Sequence, residues 1–214
     1  MRTLFVMLIT AVLLIGGCSS SQKSSSRLGY DFSGVEKVAV VSVEGALRSE
    51  AAKDQIADFF AMELLEHGYA PVGRAQVRAS LKDQEIDFAN LSTTERAVEV
   101  GKLLDVPAVL AIDIPHFGEQ ISITGKMINV TDGSILWLSS GRGKGKRTLS
   151  NMFGLAESPS PGPGAGQDPM FSEVIGGALG DISKQPLSPE EAQRAQSVIR
   201  KMCQSLPQKM TPEW

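Results

Sequence analysis

The sequence predicts an α/β fold, a mixed sheet of about five strands with amphipathic helices packed on it, plus C-terminal helices. Three observations carry this. The runs Val38–Val43 and Ala108–Ile112 are apolar at nearly every position, the mark of strands covered on both faces. The stretches between and after them switch to a helical period. Two later runs are separated by Asp132-Gly133, a strong short-range hairpin signal.

Val35 to Val43 lies between Gly34 and Gly45 and reads as the first buried strand. Ile56, Phe59, Phe60 and Leu64 then fall at helical spacing, with Lys53, Asp54, Asp58 and Glu66 mostly on other faces, and Gly68 is placed to stop the helix. Tyr69 to Val72 reads as a short second strand and Val77 to Leu81 as a short helical turn. Ser92-Thr93-Thr94-Glu95 reads as a capping box, in which the hydroxyl satisfies an orphan amide and the carboxylate reaches back. The helix it opens runs through Leu104, and Pro107 forbids much more. Pro107 to Ile114 is a third strand. Ile121 to Val130 and Ile135 to Ser140 make the hairpin, with Ile135 and Trp137 on one face and both expected in the core.

Residues 148–170 hold Pro159, Pro161, Pro163 and Pro169 among glycines and read as a loop. Phe171, Val174, Ile175, Ala178, Leu179 and Ile182 then repeat with helical spacing. Ser188-Pro189-Glu190-Glu191 combines an N-cap, a proline at the first helical position and a capping-box glutamate, and the helix it opens runs to Leu206 before Pro207.

Ahead of this body stands an export leader. Arg2 supplies positive charge, Thr3 to Ile15 is nearly unbroken apolar sequence, and Gly16-Gly17 precede Cys18. The order resembles a bacterial lipoprotein signal, in which the cysteine receives diacylglycerol on sulfur and becomes the new N-terminus. The apolar run is shorter than the roughly 20 residues of a membrane-spanning helix. Ser19 after the cysteine, in place of aspartate, resembles the pattern sorted to the outer membrane. The expected organisation is a leader over residues 1–17, a lipidated cysteine and flexible tether over 18–29, a domain over 30–147, the loop over 148–170, packed helices over 171–206 and a tail over 207–214. The only cofactor-like group implied is the covalent diacylglycerol and N-acyl lipid at Cys18.

The formal charge is −3 in 214 residues, and loss of Arg2 with the leader makes the remainder slightly more acidic. An exported acidic chain is a poor nucleic-acid binder. With Cys18 acylated, Cys203 has no partner in the chain, so no disulfide framework is expected; Cys203 falls on an apolar face with Ile199, Met202 and Leu206 and reads as a buried thiol. The two histidines, His67 and His116, stand far apart without metal-type neighbours, so no metal site is expected. Asp113 and His116 at a strand end form the one pair that acid–base catalysis could use. Gly141-Arg142-Gly143-Lys144-Gly145-Lys146-Arg147 lacks the spacing of a phosphate loop. Alternation places Arg142, Lys144 and Lys146 on one face of an extended strand tail, where with Arg147 they make a solvated edge or a contact for acidic lipid, glycan or partner protein.

The order of the runs Val38-Ala39-Val40, Leu64-Leu65-Glu66-His67-Gly68, Val72-Gly73-Arg74, Ala97 to Leu104, Ala108 to Ile112 and Lys126 to Trp137, following a lipoprotein signal, resembles the curli-assembly (CsgG-like) lipoprotein superfamily, which includes LpoB-type activators of penicillin-binding proteins. The resemblance implies a periplasmic α/β domain that binds proteins and carries no catalytic residues. Its pore-forming members use long paired hairpins, whereas here only the hairpin around Asp132-Gly133 approaches that length. The expected function is a membrane-anchored, non-enzymatic adaptor in envelope assembly or secretion. A penicillin-binding-protein activator and an envelope enzyme using Asp113 and His116 are the alternatives. Its expected partners are the membrane, through the lipid, and envelope or secretion proteins, with a homo-oligomer as one mode of assembly.

Overall fold

The computed structural model describes residues 22–47, 49–82, 93–144 and 185–209. Their elements are β1 (Gln22–Ser26), β2 (Lys37–Gly45), α1 (Glu50–Glu66), β3 (Ala70–Val72), α2 (Arg74–Lys82), α3 (Thr94–Leu103), β4 (Ala108–His116), β5 (Gln120–Asn129), β6 (Ile135–Lys144) and α4 (Pro189–Cys203). The strands form one six-stranded sheet in the order β1-β6-β5-β4-β2-β3. β3 and β4 flank β2 in parallel, and β5, β6 and β1 follow antiparallel. The α/β class is therefore observed, with a mixed sheet and helices on both of its faces.

The two apolar runs lie at the centre of the sheet because only there are both faces covered. On one face Val38, Val40 and Val43 of β2 and Leu110, Ile112 and Ile114 of β4 meet Ile56, Phe60 and Leu64 of α1 and Ile199 and Met202 of α4. On the other, Ala39, Val41, Val109 and Ala111 meet Val77 and Leu81 of α2 and Ala97 and Val100 of α3. Gly101 lets α3 lie close: a β-carbon there would stand 2.3 Å from Val130 Cγ2 and 2.8 Å from Val109 Cγ1.

Helix ends follow their local chemistry. Ser49 Oγ accepts from the Ala52 amide at 3.3 Å to start α1. Gly68 ends that helix in the left-handed region, at φ +84°, with the Tyr69 N–H donating to the Leu64 carbonyl at 3.0 Å. Ser188 and Glu191 form the expected reciprocal capping box, with Pro189 at N1 of α4. α2 spans nine residues, longer than the turn expected over Val77–Leu81.

Several expectations are corrected. Residues Gln22–Ser26, assigned to the tether of residues 18–29, form the edge strand β1, so the sheet begins before Tyr30 and has a sixth strand. Backbone pairing to β6 needs no apolar side chain, and flanking contacts fix the segment. Gln22 Nε2 donates to the Lys201 carbonyl, the Arg27 N–H donates to the Leu136 carbonyl at 2.8 Å, and Arg27 Nη1 donates to Ser134 Oγ at 2.8 Å. The Arg27 guanidinium also stands 5.5 Å from the Tyr30 ring centroid.

The cap of α3 is Thr93, whose Oγ1 accepts from the Arg96 amide at 3.4 Å, which places arginine at the third position; Ser92, read as the first residue of the capping box, lies outside the described residues. Asp132-Gly133 is part of a longer connection, not a two-residue turn. The Asn129 N–H donates to the Ser134 carbonyl and the Asn129 carbonyl accepts from the Gly133 N–H, both at 2.9 Å. Ile135 is 45% exposed although Trp137 is buried. The pairing slips between Met127–Trp137 and Ile128–Ile135, leaving Leu136 as an extra residue that turns inward beside Trp137. α4 ends at Cys203, and a following turn buries Leu206. The leader with Cys18, Lys146, Arg147, the loop of residues 148–170 and the helical pattern over residues 171–182 lie outside the described residues.

Candidate interaction surface

The covering helices divide the sheet unequally. α1 and α4 cover one face from β2 to β6. On the opposite face α2 and α3 cover β2, β4 and the last residues of β5, whose Ile128 joins their core. Among the described residues, nothing covers the remainder of β5 or β6 and β1 there. Alternation in β6 shows the two environments. Gly141 and Gly143 face α4 so closely that a β-carbon on Gly141 would lie 2.7 Å from Val198 Cγ1 and one on Gly143 2.7 Å from Val198 Cγ2. Arg142 and Lys144 point to the other side and are exposed. The alternation read from the sequence is seen for Arg142 and Lys144, with Gly141 and Gly143 where a helix occupies the space; Lys146 lies outside the described residues. These residues are not a free strand tail: Arg142 pairs with Ser122 and Lys144 with Gln120 of β5.

Strand register extends the bare face. Lys126 of β5 stands beside Leu138 of β6, which stands beside Ser25 of β1; Thr124 stands beside Ser140, and Ser140 beside Lys23. Directly paired residues share a face. Lys23, Lys126, Arg142 and Lys144 thus project together from a floor of Ser25, Ser122, Thr124 and Ser140. The three strands β1, β5 and β6 contain no acidic residue. None of the four cationic side chains takes part in an ion pair or hydrogen bond among the described residues. Among the described strand residues the acidic neighbours on this face are Glu44 and Asp113, which pair with each other on β2 and β4, and the exposed Glu119 immediately precedes Gln120, the partner of Lys144.

Asp113 and His116 are brought to the same side. A bulge between them pairs Asp113 with Thr124 and His116 with Ser122, two residues apart on β5. Both side chains are exposed, and neither makes a hydrogen bond or ion pair among the described residues.

The opposite sheet edge differs. The Ala70 N–H donates inward to the Glu36 carbonyl at 2.8 Å, so the next residue, Pro71, turns its backbone outward, and it has no N–H to offer. A three-residue strand with proline at its outward position resists strand addition. A shallow cleft of about 570 Å³ lies beside it, lined by Lys37, Pro71, Val72, Gln76, Ser80 and Leu104 among others.

Two titratable groups are buried where α1 meets α4. Cys203 is free and 1% exposed, and burial raises its thiol well above the usual range, with the Glu63 and Glu66 charges adding to the effect. Glu63 is 4% exposed; burial and the nearby Glu66 raise its carboxyl, offset in part by Arg200, whose Nε lies 3.5 Å from Oε1. Among the described residues no group of three or more histidine, cysteine, aspartate or glutamate side chains is placed to hold a metal ion, and no helix is long and apolar enough to cross a membrane. Neither the expected tether nor the charge run revealed the bare face, because its existence depends on where helices do not sit. The alternating glycines at 141 and 143 were the one sequence signal for it.

No family profile and no curated protein matches the sequence. Solved structures of similar shape include a PelC dodecamer from Paraburkholderia phytofirmans, at a TM-score of 0.49 and 14% identity over 90% of this chain and 100% of that one. The lipoprotein GNA1162 from Neisseria meningitidis gives 0.45 and 17% over 69% and 98% of the two chains. The LpoB C-terminal domain from Salmonella enterica gives 0.41 and 15% over 64% and 93%.

Proposed function

We propose that this chain is a lipid-anchored, non-enzymatic adaptor of the bacterial cell envelope, held at the outer membrane with its domain in the periplasm, that engages proteins of envelope assembly or secretion. The observation that carries the reading is Leu14-Ile15-Gly16-Gly17-Cys18, followed four residues after the cysteine by the first strand of a folded sheet. Acyl chains at Cys18 would confine the domain to one surface, and confinement raises its effective concentration for partners on that surface. A weak protein contact is then sufficient. Activation of a penicillin-binding protein is a narrower form of the same reading.

The competing class is an enzyme using Asp113 and His116. Support for the adaptor over the enzyme comes from their setting: both project from an open sheet surface, and the cleft beside β3 lies at the other end of the strands. Catalysis by such a pair needs a site that positions substrate and limits water.

The test is a Cys18→Ser variant followed by membrane fractionation, with mass spectrometry of the wild-type N-terminus and crosslinking in cells. A diacylated Cys18, membrane loss in the variant and crosslinks to an envelope protein are expected. An unmodified thiol defeats the reading. An Asp113→Asn/His116→Gln variant is expected to keep the wild-type crosslinks and phenotype.

A further inference from the structure

We infer that the bare β1–β6–β5 face is a docking surface for an anionic lipid bilayer, and that Lys23, Lys126, Arg142 and Lys144 contact its headgroups. The inference rests on the proposed acylation of Cys18, and two independent observations carry it further.

The first is reach. β1 begins at Gln22, four residues after Cys18. A chain of that length spans at most roughly 14 Å when fully extended. The start of β1 therefore has no long leash: Gln22 stays within about two Debye lengths of the headgroups, since one is about 8 Å at physiological ionic strength. The point of attachment is also specific. Gln22 pairs with Gly141, so the chain enters the sheet at the end where Arg142 and Lys144 lie.

The second is charge. An acidic chain concentrates four unpaired cations on one face of three strands that contain no carboxylate. The floor between them is made of serine and threonine with one exposed apolar side chain, Leu138, between Lys126 and Ser25. Such a face suits a planar layer of phosphates, whereas an extended peptide would pair along the outer backbone edge of β1 and leave the cations on the face unused. Glu44 and Asp113 lie toward β2 and β4, on the side away from β1. Each basic side chain held near an anionic surface strengthens binding about fivefold. Acylation and a basic face together form a two-signal anchor.

The test uses the full lipidated protein reconstituted into vesicles of phosphatidylethanolamine alone, or of phosphatidylethanolamine with about a third phosphatidylglycerol. Amine acylation is followed by mass spectrometry at Lys23, Lys126 and Lys144, with Lys37 and Lys102 at the far end of the strands as internal references. The expected result is at least about fivefold slower labelling of the three face lysines in the anionic vesicles. The references should be unchanged, and the protection should disappear in high salt. Equal labelling in both vesicle types overturns the inference. So does protection that appears only when a soluble acidic polysaccharide is added, which would assign the face to a polymer. The same spectra report the mass of the N-terminal peptide. A lipidated Cys18 with an unprotected face defeats this inference alone, whereas an unmodified Cys18 defeats the anchor on which it rests.

Discussion

Glu63 shows how a single side chain couples the core to pH. It occupies a position on the buried face of α1 and is 4% exposed, while its partner Arg200 keeps 60% of its side-chain surface in solvent. Burial comes first among the causes that raise its carboxyl, then repulsion from Glu66, and Arg200 offsets only part of this. The folded state therefore holds the proton more tightly than the unfolded chain. Stability from this group is fully present below the ordinary glutamate range and is lost as pH rises through the raised folded value. Glu63→Gln is isosteric with the protonated acid. It should raise the thermal midpoint at pH 7 and leave it unchanged near pH 3.5, where wild type is already protonated. Denaturation curves of both proteins across this range check the sign; an equal shift at both pH values would mean that the substitution acts through packing, not through charge.

At the scale of elements, the joint between α1 and α2 is held by ion pairs where the apolar contact is small. Arg74 reaches Glu50 at 2.8 Å and Asp54 at 2.6 Å, and Arg78 contacts the same two carboxylates. Arg74 is only 10% exposed, which sets it apart from an ordinary surface pair. Burial pushes the Glu50 carboxyl upward, but hydrogen bonds from Lys53 and Arg74 and their charges outweigh it and bring the carboxyl down to about 2. A depressed carboxylate contributes stability above its unfolded value and loses it as pH falls from about 4.5 toward 2. Arg74→Ala should cost about 1–2 kcal/mol at pH 7, chiefly by removing the more buried of the two cations that Glu50 and Asp54 share, with Arg78 left to hold both. The difference from wild type should shrink as pH falls through that window. Urea titrations at pH 7 and pH 3 measure both effects. The elements themselves were largely legible in the sequence. The β-branched runs of β2 and β4, the spacing of α1 and the Ser188–Glu191 cap each state a local physical requirement that the fold satisfies. What stayed hidden was set by tertiary context. The Leu136 bulge, which turns Ile135 outward, depends on pairing with β5. The Thr93 cap depends on where the helix starts, and one residue of displacement moves arginine into the box position.

For the molecule as a whole, the least legible feature was also the one that ties anchor to surface. Gln22-Lys23-Ser24-Ser25-Ser26 has the composition of a linker, and no apolar alternation marks it as a strand. Its place comes from β6, an otherwise open edge beside the buried Trp137 and Leu136. Strand β1 closes that edge, so it has two roles to separate: stabilising the fold and protecting it from self-association. Net backbone hydrogen bonds contribute about 1 kcal/mol each, while ordering a residue costs about 1–2 kcal/mol, so five polar residues yield little net stability. Protection should dominate. Replacing residues 22–26 by a flexible glycine–serine segment of equal length, with Cys18 kept, should shift the thermal midpoint by less than about 5 °C, since about 1 kcal/mol moves a domain of this size by only a few degrees. It should nevertheless raise concentration-dependent association, because the ten-residue β6 with its exposed Leu138 would replace the short, lysine-bearing β1 as the open edge. Sedimentation velocity over a concentration series, alongside thermal melts, separates the two. A large loss of stability without association would show β1 to be part of the core, whereas no change in either would return these residues to the status of a tether.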